Sequence, residues 1–246
     1  MKPNGTSLNT PLNGNHTHTH NGHALDDLLA DELGEAHAGT SLETPLRDDA
    51  FAMDDELKIE LIAEHFREIM QIIGLDLTDD SLKGTPRRVA KMYVQETFSG
   101  LNPANKPTAT LFENKYQYNQ MLVEKDITVH SYCEHHFVPI IGKAHVAYIS
   151  SGKVIGLSKL NRIVQYFAKR PQVQERLTMQ IADELRKALN TDDVAVIIDA
   201  KHLCVSTRGV NDTASSTVTV AFSGQFEQEA TRQELLRYIG VSNATI

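Results

Sequence analysis

Two cysteines about 70 residues apart, each beside histidine, constrain this chain more than any other feature. The first stands in Cys133-Glu134-His135-His136 and the second in His202-Leu203-Cys204. Thiolate sulfur and imidazole are both good zinc ligands, and two thiolates with one imidazole leave a fourth tetrahedral position open. An open position separates a catalytic zinc from a structural one. A fold that uses the pair in this way must bring two distant segments together. The spacing matches no short finger pattern, so buried inert thiols and a disulfide stay open beside a metal site. Extended backbone over 201–208 would place His202, Cys204, Ser206 and Arg208 on one face and Leu203, Val205 and Thr207 on the other. The first face is then wholly polar or reactive, which a structural disulfide does not call for.

The chain has 246 residues, 41% of them hydrophobic and 23% charged, enough for one large domain with a tail or for two small ones. No apolar run approaches the roughly 18 residues needed to span a bilayer. The N-terminus lacks the basic-then-apolar pattern of a secretory signal, so the expected location is the reducing cytoplasm. Charge is unevenly placed. Residues 1–55 carry ten acidic side chains against Lys2 and Arg47, which accounts for the whole net charge of −8. The remaining body is neutral. A neutral body argues against nucleic-acid binding but allows a local basic pocket for one small anion.

Residues 1–23, rich in Asn, Thr, Gly and His, have too few apolar side chains to offset ordering entropy and are expected to be a disordered tail. Residues 24–53 read as an acidic arm with a short helix, from Leu25, Leu28, Leu29 and Leu33, ending at Gly34. Residues 54–107 read as helical. Leu57, Leu61, Ile62, Phe66, Ile69, Met70 and Ile73 recur at helical spacing before Gly74, and Thr85-Pro86 is expected to cap a second helix running to about Thr97. Arg88 and Lys91 share one side of that helix.

Residues 108–246 form the expected catalytic domain. Ile127, Val129, Ser131 and Cys133 alternate as in a strand, and Ala144–Ile149 follows as another. Two helices come next, over about 160–168 and 173–189, and strands follow over 194–198 and 217–226. This order indicates an α+β fold with an antiparallel sheet rather than repeated βαβ units.

In Gly156-Leu157-Ser158-Lys159-Leu160-Asn161-Arg162, Ser158 is the expected N-cap, and Lys159 and Arg162 occupy the first turn. The helix dipole disfavours cations there, but a basic first turn suits a docked anion such as phosphate. Gln174 and Glu175 open the next helix, where an amide and a carboxylate could read the donor edge of a purine.

Taken together, Cys133-Glu134-His135-His136-Phe137, Gly156-Leu157-Ser158-Lys159-Leu160, Arg170-Pro171-Gln172-Val173-Gln174-Glu175-Arg176-Leu177-Thr178 and His202-x-Cys204-x-x-x-Arg208-Gly209 resemble GTP cyclohydrolase I. Thr85-Pro86-Arg87-Arg88-Val89-Ala90 extends the likeness, which spans about residues 54–240. The resemblance implies a tunnelling fold: an antiparallel sheet with helices on one side, assembled into a barrel-like homo-oligomer. It further implies a decamer with active sites at subunit boundaries. It assigns zinc to Cys133, His136 and Cys204, and acid–base work to His135 and His202. Triphosphate contacts fall to Ser158, Lys159, Arg162 and Arg208, with Arg88 and Lys91 from another subunit. Gln174 and Glu175 would hold guanine. The implied reaction opens the imidazole ring of GTP at C8, releases formate and forms dihydroneopterin triphosphate. Asn211 and Asp212 depart from the family pattern and carry no assignment.

Two other readings stand beside this one. A pterin synthase or a nitrile reductase of the same fold would be a different enzyme, though a reductase needs a free nucleophilic cysteine and a dinucleotide loop, and none of the glycine-rich kind occurs. A zinc-stabilised or disulfide-linked assembly protein would be no enzyme at all. The sequence names no regulatory partner.

Overall fold

The computed structural model describes residues 41–240. The expected tail over 1–23 and the short helix over 24–35 lie outside that range. Helix α1, Asp55–Ile72, begins where the Asp54 carboxylate accepts the Leu57 N–H at 2.8 Å, with Asp55 and Glu56 favourably placed in its first turn. It buries Ile59, Ala63 and Met70, a helical stripe. Gly74, at φ 90°, ends the segment in a conformation that glycine adopts without strain. Helix α2, Thr85–Met92, continues as a π turn over Tyr93–Thr97, so its expected end is met. Its cap is not Thr85. Gly84 precedes the helix, and the Thr85 hydroxyl accepts from Arg88 Nη2 at 2.9 Å instead.

Strand β1 (Leu111–Glu113) pairs with β4 (Lys153–Ile155) in a small sheet of its own. The main sheet has five strands in the order β5-β2-β3-β6-β7. They are β2 (Met121–Cys133), β3 (Pro139–Ile149), β5 (Pro171–Gln172), β6 (Val194–His202) and β7 (Thr217–Phe222). All neighbours run antiparallel except β5, which lies parallel to the end of β2, pairing Cys133 with Gln172.

Alternation decides which face each side chain takes. Ala144, Val146 and Tyr148 of β3 join Val194, Val196 and Ile198 of β6 in the main core, beneath helices α3 (Leu157–Ala168) and α4 (Gln174–Leu189). In β2 the register slips between Glu124 and Ile127, where Asp126 takes φ 60°. That bulge changes the parity of the strand: Met121 and Val123 face the opposite side, while Ile127, Val129 and Cys133 enter the main core. Gly142 allows β3 and β6 to approach closely, because a Cβ there would lie 2.1 Å from the Asp199 carbonyl.

Helices do not lie on one side only, as expected. Ala147, Ala195 and Ile197 form an apolar strip on the other face, and Phe226, just after β7, and Leu235 of the C-terminal helix α6 (Glu229–Gly240) cover it. Leaving that strip to water would forfeit its burial energy. The strand expected to reach Phe226 ends at Phe222, and Phe226 sits in the 3₁₀ turn that follows.

Two local expectations are corrected beside the site. Backbone over 201–208 is not extended: β6 ends at His202, and α5, Leu203–Ser206, is a single helical turn closed by the Thr207 N–H on the Leu203 carbonyl at 3.0 Å. Ser158 does not cap α3. Gly156 holds that position, and no side chain caps the helix.

Candidate active site

The centre forms where three strand ends meet. β2 delivers Cys133, and the tight connection to β3 folds back on it: Phe137 N–H bonds to the Cys133 carbonyl and Cys133 N–H to the Val138 carbonyl, both at 2.9 Å. Phe137 holds φ 55° in this turn, an uncommon conformation for a side-chain-bearing residue, with its ring against Phe98 at 5.2 Å and Tyr93 at 6.5 Å between centroids. The turn brings His135 Nδ1 to 3.8 Å and His136 Nδ1 to 3.9 Å from the Cys133 sulfur.

β6 and α5 supply the rest. Cys133, His136 and Cys204 each offer a ligand atom within 4.8 Å of the others. Both thiols are free, so the pair is not a disulfide. Burial first, and the Cys133 sulfur next, push the Cys204 thiol above its ordinary range. Two sulfurs and an imidazole at this separation form a donor set suited to zinc, with a fourth position left for water or substrate. The helical turn serves this arrangement as well as a strand would. Cys204 and Arg208, four residues apart, stay on one side, and Arg208 Nη1 lies 2.8 Å from His136 Nε2.

His202, half-buried at the end of β6, has its Nε2 2.8 Å from the Gln174 amide oxygen. Burial depresses its pKa and the nearby Glu175 carboxylate partly opposes that. Glu175 itself is exposed at the start of α4. Gln174 departs from expectation. Its side chain is buried, and its amide nitrogen donates to the Ile198 carbonyl, the Thr217 carbonyl and the Thr219 hydroxyl at 3.1, 2.8 and 3.1 Å. Its side-chain oxygen and nitrogen are thus both engaged by protein, the oxygen by His202.

The basic residues divide into separate groups. Arg208 is at the centre. Arg88 and Lys91 are exposed on α2, with Arg88 Nη2 bonded to the Ser81 carbonyl at 3.0 Å. Exposed Ser158, half-buried Lys159 and exposed Arg162 lie at the start of α3. That helix runs along β2, fixed by Asn161 to Glu124 at 3.1 Å and by Gln165 to the Thr128 carbonyl at 2.6 Å. Its start therefore lies beside Glu124, nine residues along β2 from Cys133. Among the described residues, no hydrogen bond or ion pair joins Lys159 or Arg162 to Arg208.

The sequence reading missed Glu134 and Arg176. Glu134 accepts Arg176 Nη1 at 2.5 Å and Nη2 at 3.3 Å, and the Arg176 side chain is only 3% exposed. An arginine inside a helix otherwise lined by Leu177 and Ile181 was the available signal, since a buried guanidinium demands a partner.

Thiols, imidazoles and a guanidinium held together at converging strand ends are the kind of centre that an enzyme uses. A sequence model described as GTP cyclohydrolase I matches residues 62–240. A protein named GTP cyclohydrolase 1 from Flavobacterium johnsoniae is 63% identical over 214 residues, covering 87% of this chain and 96% of the relative. Proteins of the same name from Citrobacter koseri and Escherichia coli K12 are 55% and 56% identical over 206 residues, covering 83% of this chain and 93% of each relative. The chain belongs to the GTP cyclohydrolase I family. Among the described residues, no helix is long and apolar enough to cross a membrane.

Proposed function

We propose that this chain hydrolyses GTP at C8, releasing formate and forming 7,8-dihydroneopterin triphosphate, with Cys133, His136 and Cys204 holding zinc. The observation that carries the reading is the convergence of those three ligand atoms within 4.8 Å in a chain of this family. Zinc bound there would supply a hydroxide-like nucleophile at neutral pH from a water in its fourth position.

The chain's own groups do the rest. His202 delivers a proton to the purine ring nitrogen, which makes C8 electrophilic. Gln174 fixes the imidazole for that task. The Gln174 nitrogen faces acceptors, so its oxygen faces His202 and one proton sits on Nε2; Nδ1 is then the nitrogen that takes up a second proton and passes it to the purine, returning the ring to neutral. His135, exposed beside Cys133, moves protons between the site and solvent. Glu175 accepts from the guanine ring N–H and amino groups. Arg208 neutralises part of the triphosphate.

Lys159, Arg162 and Ser158 complete the triphosphate site from a second copy, and Arg88 and Lys91 from a further one. The placement of α3's start beside Glu124, toward the opposite end of β2 from Cys133, supports this. The first N–H groups of α3 have no side-chain cap, which suits an anion docked there. The assembly we propose is the barrel-like tunnelling-fold decamer, acting in the cytoplasm. Incubating zinc-loaded protein with GTP tests the reaction: ultraviolet absorbance should change as formate appears in equal amount, and a pterin should fluoresce after oxidation. Absence of formate overturns the proposal.

A further inference from the structure

We infer that Arg176 is a positioning residue for the loop carrying Cys133, His135 and His136, and that it ties the N-terminal arm to that loop. The inference rests on the reading of Cys133, His136 and Cys204 as metal ligands.

Arg176 and Gln180 are four apart on α4 and share a face, and both are buried. They bind consecutive carbonyls of the arm: Arg176 Nε donates to Ser41 at 2.8 Å and Gln180 Nε2 to Leu42 at 2.9 Å. The same two residues reach the loop. The other two Arg176 nitrogens fork onto the Glu134 carboxylate. The Gln180 oxygen accepts from Gln172 Nε2 at 2.9 Å, and the Gln172 carbonyl accepts the Glu134 N–H at 3.1 Å. Glu134 is thus held by side chain and main chain alike, and it is the residue between Cys133 and His135.

The loop needs such a grip. Phe137 sits at positive φ, and residues in sparsely populated conformations persist only where their surroundings over-determine them. A buried guanidinium is a poor choice for stability alone, since apolar replacements of such pairs are often as stable. Its planar fork fixes direction as well as distance, which a lysine cannot reproduce. Arg176 acts through Glu134 on where the ligand atoms stand.

The test uses full-length protein carrying Arg176→Lys, Arg176→Met or Glu134→Gln, with wild type and Cys204→Ser as references. Zinc affinity is read by competition with a chromogenic chelator, and kcat and KM are measured separately. Arg176→Met and Glu134→Gln are expected to weaken zinc binding about 10- to 100-fold, the usual effect of removing a group that orients a ligand. Turnover should fall at saturating zinc while KM moves little. Arg176→Lys should recover part of both. If Arg176→Met does not fold, Glu134→Gln decides, because glutamine offers one acceptor oxygen where the fork uses two. Zinc affinity and kcat within twofold of wild type in the folded variants, or a loss of melting temperature alone, overturns the inference. Zinc binding by Cys204→Ser equal to wild type would instead overturn the metal-ligand reading beneath it.

Discussion

The amide oxygen of Gln174 lies 2.8 Å from Nε2 of His202, and the amide nitrogen of the same side chain is held by Ile198, Thr217 and Thr219. The imidazole is therefore fixed in angle and tautomer from a buried anchor. Gln174→Leu should lower kcat about tenfold, less than the roughly 10²- to 10⁴-fold that general acid catalysis itself supplies because His202 remains, with KM nearly unchanged. Steady-state kinetics check this. A large rise in KM with kcat intact would return Gln174 to the guanine-binding role expected from sequence.

Removing His202 itself should separate binding from chemistry. His202→Ala is expected to retain zinc and GTP binding while turnover falls about 10²- to 10⁴-fold. Equilibrium binding of GTP and formate release read the two effects independently.

Cys204→Ser should remove zinc. Its thiolate is one of three protein ligands in the proposed site, and hydroxyl oxygen is a far weaker ligand than thiolate sulfur. Metal analysis after dialysis should give about one zinc per chain in wild type and little in the variant. Unchanged zinc would remove Cys204 from the ligand set.

The proposed sharing of the site between copies makes a complementation experiment decisive. Cys204→Ser and Lys159→Ala should each be nearly inactive alone. Co-assembled in equal amounts, they should recover about a quarter of wild-type activity, because a random neighbour pair supplies both intact residues at about one site in four. No recovery in mixed oligomers would place both residues in one chain's site, against the separation along β2.

His145 provides a pH dependence remote from the centre. Burial depresses its pKa; Asp126 and Asp199 oppose this, while Lys143 and Lys125 add to it. The Asp126 N–H donates to its Nδ1 at 3.2 Å, so the neutral ring is the bonded form. Above the unfolded value of about 6.5 the ring is neutral in both states and costs nothing. As pH falls below that value the unfolded chain takes up the proton first, so stability declines until the folded pKa is passed. His145→Gln should lose less melting temperature than wild type between pH 7.5 and 5.5. An identical loss would show that other groups govern acid sensitivity.

The elements that the sequence made legible are those fixed by local chemistry. Asp54 and Gly74 bound α1 because capping and positive φ depend on neighbouring residues only, and the stripes of α3 and α4 follow from helical period. The motifs around Cys133 and Cys204 named the residues that the fold brings within 4.8 Å of one another, because thiol and imidazole chemistry travels with residue type. Extended backbone over 201–208 was the wrong period, since His202, Cys204, Ser206 and Arg208 alternate as cleanly as a strand while the chain turns helical after His202. Ser158 and Thr85 are good caps by type but lie one or more positions inside their helices.

By itself, then, the sequence determined the α+β order, the extent of α1 and the chemical identity of the clustered thiol and imidazole groups, all properties of residue type and short-range spacing. Only the tertiary structure decided that Gln174 bonds to His202, that Arg176 grips Glu134, and that the start of α3 lies beside Glu124. Those relationships depend on the register of β2, β3 and β6 and on the bulge at Asp126, where packing across the sheet selects one partner among many that local spacing permits.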